Sequence, residues 1–158
     1  MITVEENNLR IEHFVNENLK YCKDANKEVL YFIADFYYAN GKTDEEAESL
    51  RKQFRAGYCY HFATILKDIF QRGEICWCAP ISHIVWCDDD GTPYDIEGVN
   101  FSECEEYIPV SFIGDSLKGF MHVRSFRDIP MRDAQELMNE YRESKKDSFL
   151  SGVNYIKN

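Results

Sequence analysis

Cys59 stands in Gln53-Phe54-Arg55-Ala56-Gly57-Tyr58-Cys59-Tyr60-His61-Phe62-Ala63, where a loop signal gives way to an apolar helical pattern. His83 follows in Ser82-His83-Ile84-Val85-Trp86, and Asp95 in Tyr94-Asp95-Ile96. A thiol, an imidazole and a carboxylate are the parts of a nucleophilic acyl-transfer site. A cysteine at a helix start is favoured as thiolate by the positive end of the helix dipole and by free backbone N–H groups. An imidazole within hydrogen-bond reach makes the pair a thiolate–imidazolium, and a carboxylate on the other ring nitrogen fixes the ring's orientation. His83 and Asp95 fit those two roles, and Tyr60 and Phe62 would wall the site against water.

Such a constellation needs a helix for the thiol and strands for its partners. Leu9, Ile11, Phe14, Val15, Leu19 and Cys22 recur at helical spacing, and Val29, Phe32, Ile33, Phe36 and Tyr37 repeat the pattern until Asn40-Gly41 stops it. Thr43-Asp44-Glu45-Glu46 reads as a capping box that opens a third helix, ending near Gln53. A fourth helix starts near Tyr58, with Phe62, Ile65, Leu66, Ile69 and Phe70 as its apolar stripe and Gln71-Arg72-Gly73 as its stop.

After Gly73 the pattern shortens to runs rich in β-branched and aromatic residues. It predicts an antiparallel sheet over residues 75–79, 82–87 and 93–97, with a hairpin turn at Asp89-Asp90-Gly91-Thr92. Strands flanking that turn would carry His83 and Asp95 to nearby positions. Farther on, Phe101 to Tyr107 reads as a helical turn and Ser111 to Phe120 as an amphipathic piece. Met131 to Lys146 reads as a helix begun after Pro130, and residues 148–158 as a partly ordered tail. The expected architecture is one α+β domain over residues 1–158, with N-terminal helices and a cysteine-bearing helix packed on a small antiparallel sheet.

The residues around Cys59 resemble the papain superfamily, whose nucleophile lies in a Gly, small residue, Cys, aromatic pattern. Here the run is Gly57-Tyr58-Cys59-Tyr60 followed by Phe62-Ala63, with Ala56 in place of the usual first cysteine and the large Tyr58 where a small residue is usual. Papain-like peptidases also carry a glutamine six positions before the cysteine, and Gln53 stands there. The resemblance therefore implies an oxyanion site made by Gln53 and the Cys59 N–H. His83 follows Cys59 by 24 residues and Asp95 by 36, far closer than in papain itself. That order is similar to the transglutaminase-like and bacterial cell-wall peptidase branches, and the likeness spans residues 53 to 98.

What the resemblance implies is a papain-like core and a cysteine hydrolase or acyltransferase. It would act on a peptide or isopeptide amide through a Cys59 thioester, with no cofactor and no metal. The same triad serves amidases, transglutaminases and arylamine acetyltransferases. A catalytically inactive protein-binding module on the same fold is the alternative. Its interface would lie on the N-terminal helices, where Tyr31, Phe32, Phe36, Tyr37 and Tyr38 exceed one buried stripe.

Composition narrows the field further. The chain has 158 residues, 44% hydrophobic and 15% aromatic, enough for a core of its own. Its formal charge of −10 argues against nucleic acid and anionic membrane as partners. The acidic start, Met1-Ile2-Thr3-Val4-Glu5-Glu6, lacks the basic and apolar blocks of a signal peptide, so a cytoplasmic protein with free thiols is expected. Cys76 and Cys78 with His83 and Cys87 offer zinc-ligand types, but they lack the two-residue spacer and its turn, and packing behind the sheet explains them as well. His61 would sit on a flank, His122 is a reserve base, and Glu97 is a reserve carboxylate on the face of Asp95. Asp88, Asp89 and Asp90 have calcium-ligand chemistry but read more simply as a polar turn.

Overall fold

The computed structural model describes residues 2–56, 58–100, 102–116 and 134–146. They fall into two compact units, one made of Met1–Ile75 with His83–Ser102, the other of Cys76–Ser82 with Glu103–Asn158. The architecture is α+β with short antiparallel strands. Among the described residues, no helix is long and apolar enough to cross a membrane.

The first unit opens with α1 (Val4–Tyr21), capped by Thr3 and Glu6, each of whose side chains accepts the other's backbone N–H. α2 (Lys27–Asn40) follows, with the Asn26 side chain accepting from the Val29 N–H. α3 (Asp44–Ala56) begins at the expected capping box: Glu46 N–H donates to Thr43 Oγ1 at 3.1 Å, and Thr43 N–H donates to the Glu46 carboxylate at 3.4 Å. α3 runs three residues past the predicted end at Gln53, and this extension brings Arg55 onto the helix. Gly41, the stop of α2, has ordinary negative φ; the glycine is required by closeness instead, since a Cβ there would meet the Ala47 backbone at 2.6 Å.

α4 (Cys59–Phe70) packs on β2 (Ile84–Cys87) and β3 (Pro93–Asp95). Phe62, Ala63 and Leu66 of α4 and Ile84, Val85 and Trp86 of β2 are all buried, and the Phe70 ring stacks on Trp86 at 5.5 Å between centroids. Each large apolar side chain removed from water in this way contributes about 1.5–3 kcal/mol. The aromatic run of α2 continues this core: Phe36 lies 5.3 Å from Phe62 and 5.9 Å from Phe54 between ring centroids, and Phe32 lies 5.7 Å from Phe70. Phe62 is thus a core residue, not a wall of the site. Leu9 and Ile69, members of the predicted apolar stripes, are exposed.

β2 and β3 are antiparallel, with Trp86 opposite Tyr94 and Cys87 opposite Pro93. β4 (Gly98–Val99) pairs antiparallel with β3. The strand order in this unit is β4-β3-β2. Two predicted boundaries change. β2 starts at Ile84, leaving His83 just before the strand. The strand predicted over 93–97 ends at Asp95, because the Asp95 carboxylate accepts the Glu97 N–H at 2.8 Å and turns the chain, and Gly98 completes the reversal with φ +97°. The Asp88–Thr92 connection is the expected polar turn, with Asp88 N–H donating to the Thr92 carbonyl at 2.9 Å.

In the second unit, residues 76–79 of β1 (Glu74–Ala79) pair antiparallel with β5 (Glu106–Pro109), Cys78 opposite Tyr107. The helical turn expected over Phe101 to Tyr107 is therefore wrong at its C-terminal end. Pairing with β1 overrides the local propensity there. α5 (Val110–Ser116) and α6 (residues 134–146) complete the described chain. Phe112 meets Tyr141 edge-on at 5.1 Å, and Glu106 bonds Arg142 and Lys145 of α6 at 3.2 and 3.0 Å. The expected start of α6 at Met131 and the expected tail over 148–158 lie outside the described residues.

Candidate active site

Helix α4 starts on the nucleophile candidate itself. Its N-cap, Tyr58, makes no side-chain capping bond, and the first backbone bond of the helix runs from the Phe62 N–H to the Tyr58 carbonyl. The N–H groups ahead of it are the free donors of a helix start. One of them, from Tyr60, favours the Cys59 thiolate, as does the N–H of Ile84 at the beginning of β2. Tyr58 N–H donates to the Gln53 carbonyl at 3.1 Å, which closes the chain between α3 and α4. Cys59 itself is half-buried, between the exposed rings of Tyr58 and Tyr60.

On one side His83 interacts with the Cys59 thiol, and that interaction favours the thiolate and the charged imidazole together. On the other, its Nε2 lies 2.9 Å from Asp95 Oδ2, leaving Nδ1 for the sulfur. The hairpin register explains the meeting. His83 is three residues from Trp86 and Asp95 one residue from its partner Tyr94, so strand alternation puts both on the face opposite the Trp86–Tyr94 pair. Both side chains are almost wholly buried, at 4% and 3% exposure, where an unpaired charge would be costly.

The electrostatics follow from that burial and those contacts. Burial alone disfavours the charged imidazole, but the hydrogen bonds to Asp95 and Cys59 outweigh it and raise His83 to about 9. Burial likewise works against the thiolate, yet the His83 hydrogen bond and the Ile84 and Tyr60 N–H groups leave Cys59 below its ordinary value. Both shifts favour the thiolate–imidazolium form. A free imidazole titrates near 6.5, so the stabilisation from the raised His83 is fully present below that pH and is lost as pH rises through about 9.

Two further residues shape the site. Arg55 Nη1 donates to Asp95 Oδ2 at 3.0 Å and to Glu97 Oε2 at 2.9 Å, while Nη2 reaches Ser102 Oγ at 2.8 Å. Asn18, a buried polar residue of α1, donates to the Glu97 carbonyl at 3.2 Å and accepts the Val99 N–H at 2.8 Å, pinning the turn that carries Asp95. A Cβ at Gly98 would strike the Asn18 side chain, so the close approach as well as the positive φ calls for glycine. The sequence signal for Arg55 was its spacing of four from Arg51, which puts both on one helix face; Arg51 Nη1 reaches Glu97 Oε1 at 2.9 Å.

The remaining sequence candidates scatter. Gln53 is on an exposed position of α3, and its main-chain carbonyl, rather than its side chain, is what meets the Tyr58 N–H. His61 is exposed and lies 5.3 Å from the Tyr58 ring, on the flank as expected. Glu97 joins Asp95 through Arg55. His122 lies outside the described residues. Cys76, Cys78 and Cys87 are buried, and among the described residues no group of three or more His, Cys, Asp or Glu is placed to hold a metal. Asp88 bonds Arg72 through both oxygens, at 2.6 and 3.0 Å, and Asp90 accepts the Thr92 N–H at 2.9 Å.

A protein-family model described as Phage YunG-like protein matches residues 37–149, well over half the chain, and the chain belongs to that family. The match covers Cys59, His83, Asp95 and Arg55. No curated protein and no solved structure matches the chain.

Proposed function

We propose that this member of the Phage YunG-like family is a cysteine hydrolase or acyltransferase with a papain-like core, acting on a peptide or isopeptide amide through a thioester on Cys59. The observation that carries the reading is the buried His83 ring, held between the Cys59 thiol and the Asp95 carboxylate. The lowered thiol and the raised imidazole are the shifts an activated nucleophile requires.

In the reaction, the Cys59 thiolate forms a bond to the amide carbonyl carbon and the carbonyl π electrons move to oxygen. The Cys59 N–H stabilises that oxyanion, with the Gln53 amide as the second donor if its side chain swings over from the exposed face of α3. As the C–N bond breaks, the amine leaves with the His83 proton, and a thioester remains. Water or a second amine then attacks the thioester while His83 takes its proton, and the thiolate departs. The product is a free acid or a new amide. Asp95 keeps the ring aligned through both steps.

Incubation with a pool of peptide amides and isopeptide-linked peptides, quenched in acid and read by intact mass, tests the reading. An acyl adduct mapping to Cys59 and absent from Cys59→Ala is the expected result. Peptide binding equal in wild type and Cys59→Ala, with no adduct on either, would favour the binding module.

A further inference from the structure

Asp95 has three hydrogen-bond partners, and only one belongs to the triad. Its Oδ1 accepts the Glu97 N–H, while its Oδ2 takes both His83 Nε2 and Arg55 Nη1. A carboxylate oxygen shared between an imidazole and a guanidinium is fixed in direction more tightly than one partner could fix it. The guanidinium is itself held, since Glu97 grips the same nitrogen and Ser102 the other. Resting on the triad reading above, we propose that Arg55 is a positioning residue: it aims the Asp95 carboxylate at His83, and Glu97 balances its charge.

The chemistry of the arrangement sets two opposite effects. Asp95 favours imidazolium at His83, and a cation on the same carboxylate oxygen weakens that pull. Arg55 therefore moderates the acidity of the pair, and Glu97 in turn moderates Arg55. The charged groups gathered around the ring are Cys59 from α4, Asp95 and Glu97 from the hairpin, and Arg55 from α3, with Arg51 behind it on Glu97. The Arg55 side chain is 28% exposed and that of Glu97 27%, so solvent screens both in part.

The test is the rate of Cys59 alkylation by iodoacetamide between pH 4 and 10, peptide-mapped, for wild type, Arg55→Ala, Arg55→Lys and Glu97→Gln. Two limbs shape the rate profile, the lower set by thiolate formation and the upper by loss of the imidazolium, beyond which the bare thiolate still reacts. Arg55→Ala removes a positive charge, so both limbs are expected to move up by roughly half a pH unit. Glu97→Gln removes a negative charge, keeps the side-chain volume, and moves both limbs down by a similar amount. Arg55→Lys returns them toward wild type. A merely structural role would lower stability in each variant without moving the limbs in opposite directions. If the wild-type low-pH limb is present and Glu97→Gln leaves both limbs in place, the inference fails alone, even should Arg55→Ala not fold. A wild-type profile with only the ordinary thiol limb removes the triad and this inference together.

Discussion

Asp95→Ala is expected to destabilise the protein by about 3 kcal/mol, the low end of the cost of breaking a buried charged pair. Three donors lose their acceptor at once: His83 Nε2, Arg55 Nη1 and the Glu97 N–H. His83 is buried and cannot turn to water, whereas Arg55 is partly exposed and keeps Glu97, which is why the low end applies. The hairpin suffers too, because the Asp95–Glu97 bond forms the turn between β3 and β4. Asp95→Asn retains the shape and an acceptor oxygen, so its loss should be smaller. Denaturant unfolding of the three proteins measures both differences. A change under half a kcal/mol in Asp95→Ala would mean that the buried network contributes nothing to folding.

The second large effect is kinetic. At pH 6, His83→Ala should slow alkylation of Cys59 by about a hundredfold. An ordinary thiol with a pKa near 8.5 is ionised to only about 0.3% at that pH. Without the imidazolium, burial is left to push the Cys59 thiol up, against the backbone N–H groups of Ile84 and Tyr60 alone. The stronger nucleophilicity of a less acidic thiolate offsets part of the loss. At pH 9.5 the two proteins should converge, since His83 in the wild type has by then given up its proton. Alkylation rates at the two pH values measure it, and a ratio near one at pH 6 would place the thiolate's stabilisation elsewhere.

The parts of the site that the sequence made visible are those governed by short-range rules. The capping box at Thr43 and Glu46, the stop of α4 at its left-handed C-cap Gln71 and the polar turn at Asp89–Thr92 each depend on a few neighbouring residues. The parity of the hairpin then brings His83 and Asp95 to one face without any knowledge of the rest of the fold. Arg55 and Asn18 were missed for the opposite reason. Each reaches a partner 40 or more residues away, and each looks locally like a solvated helix residue. Arg55 sits in the last turn of α3, where a basic residue is accounted for by the helix dipole alone. A buried carboxylate such as Asp95 nevertheless demands a donor beyond one imidazole, a clue that adds to the spacing of Arg55 from Arg51.

The errors have equally local causes. Alternation carried the third strand through Glu97, but the Asp95 side chain captures the Glu97 N–H and ends it. The polar run before Tyr107 suggested a turn, whereas residues 106–109 find a partner strand in residues 76–79, which no local pattern announces. Leu9 obeys the helical period of α1 yet stays exposed, since what α1 buries is the face carrying Val15 and Asn18.

The central claim is that Cys59 and His83 form a thiolate–imidazolium pair, and the most direct measurement is site-resolved alkylation of the wild-type protein across pH. The folded protein is treated briefly with iodoacetamide at a series of pH values, and all six cysteines are quantified by peptide mapping. The account predicts that Cys59 reacts first near pH 6, while the buried Cys76, Cys78 and Cys87 stay unmodified. Uniform labelling, or Cys59 labelling that rises only near the ordinary thiol pKa, would contradict it and leave Cys59 a packing residue at the start of α4.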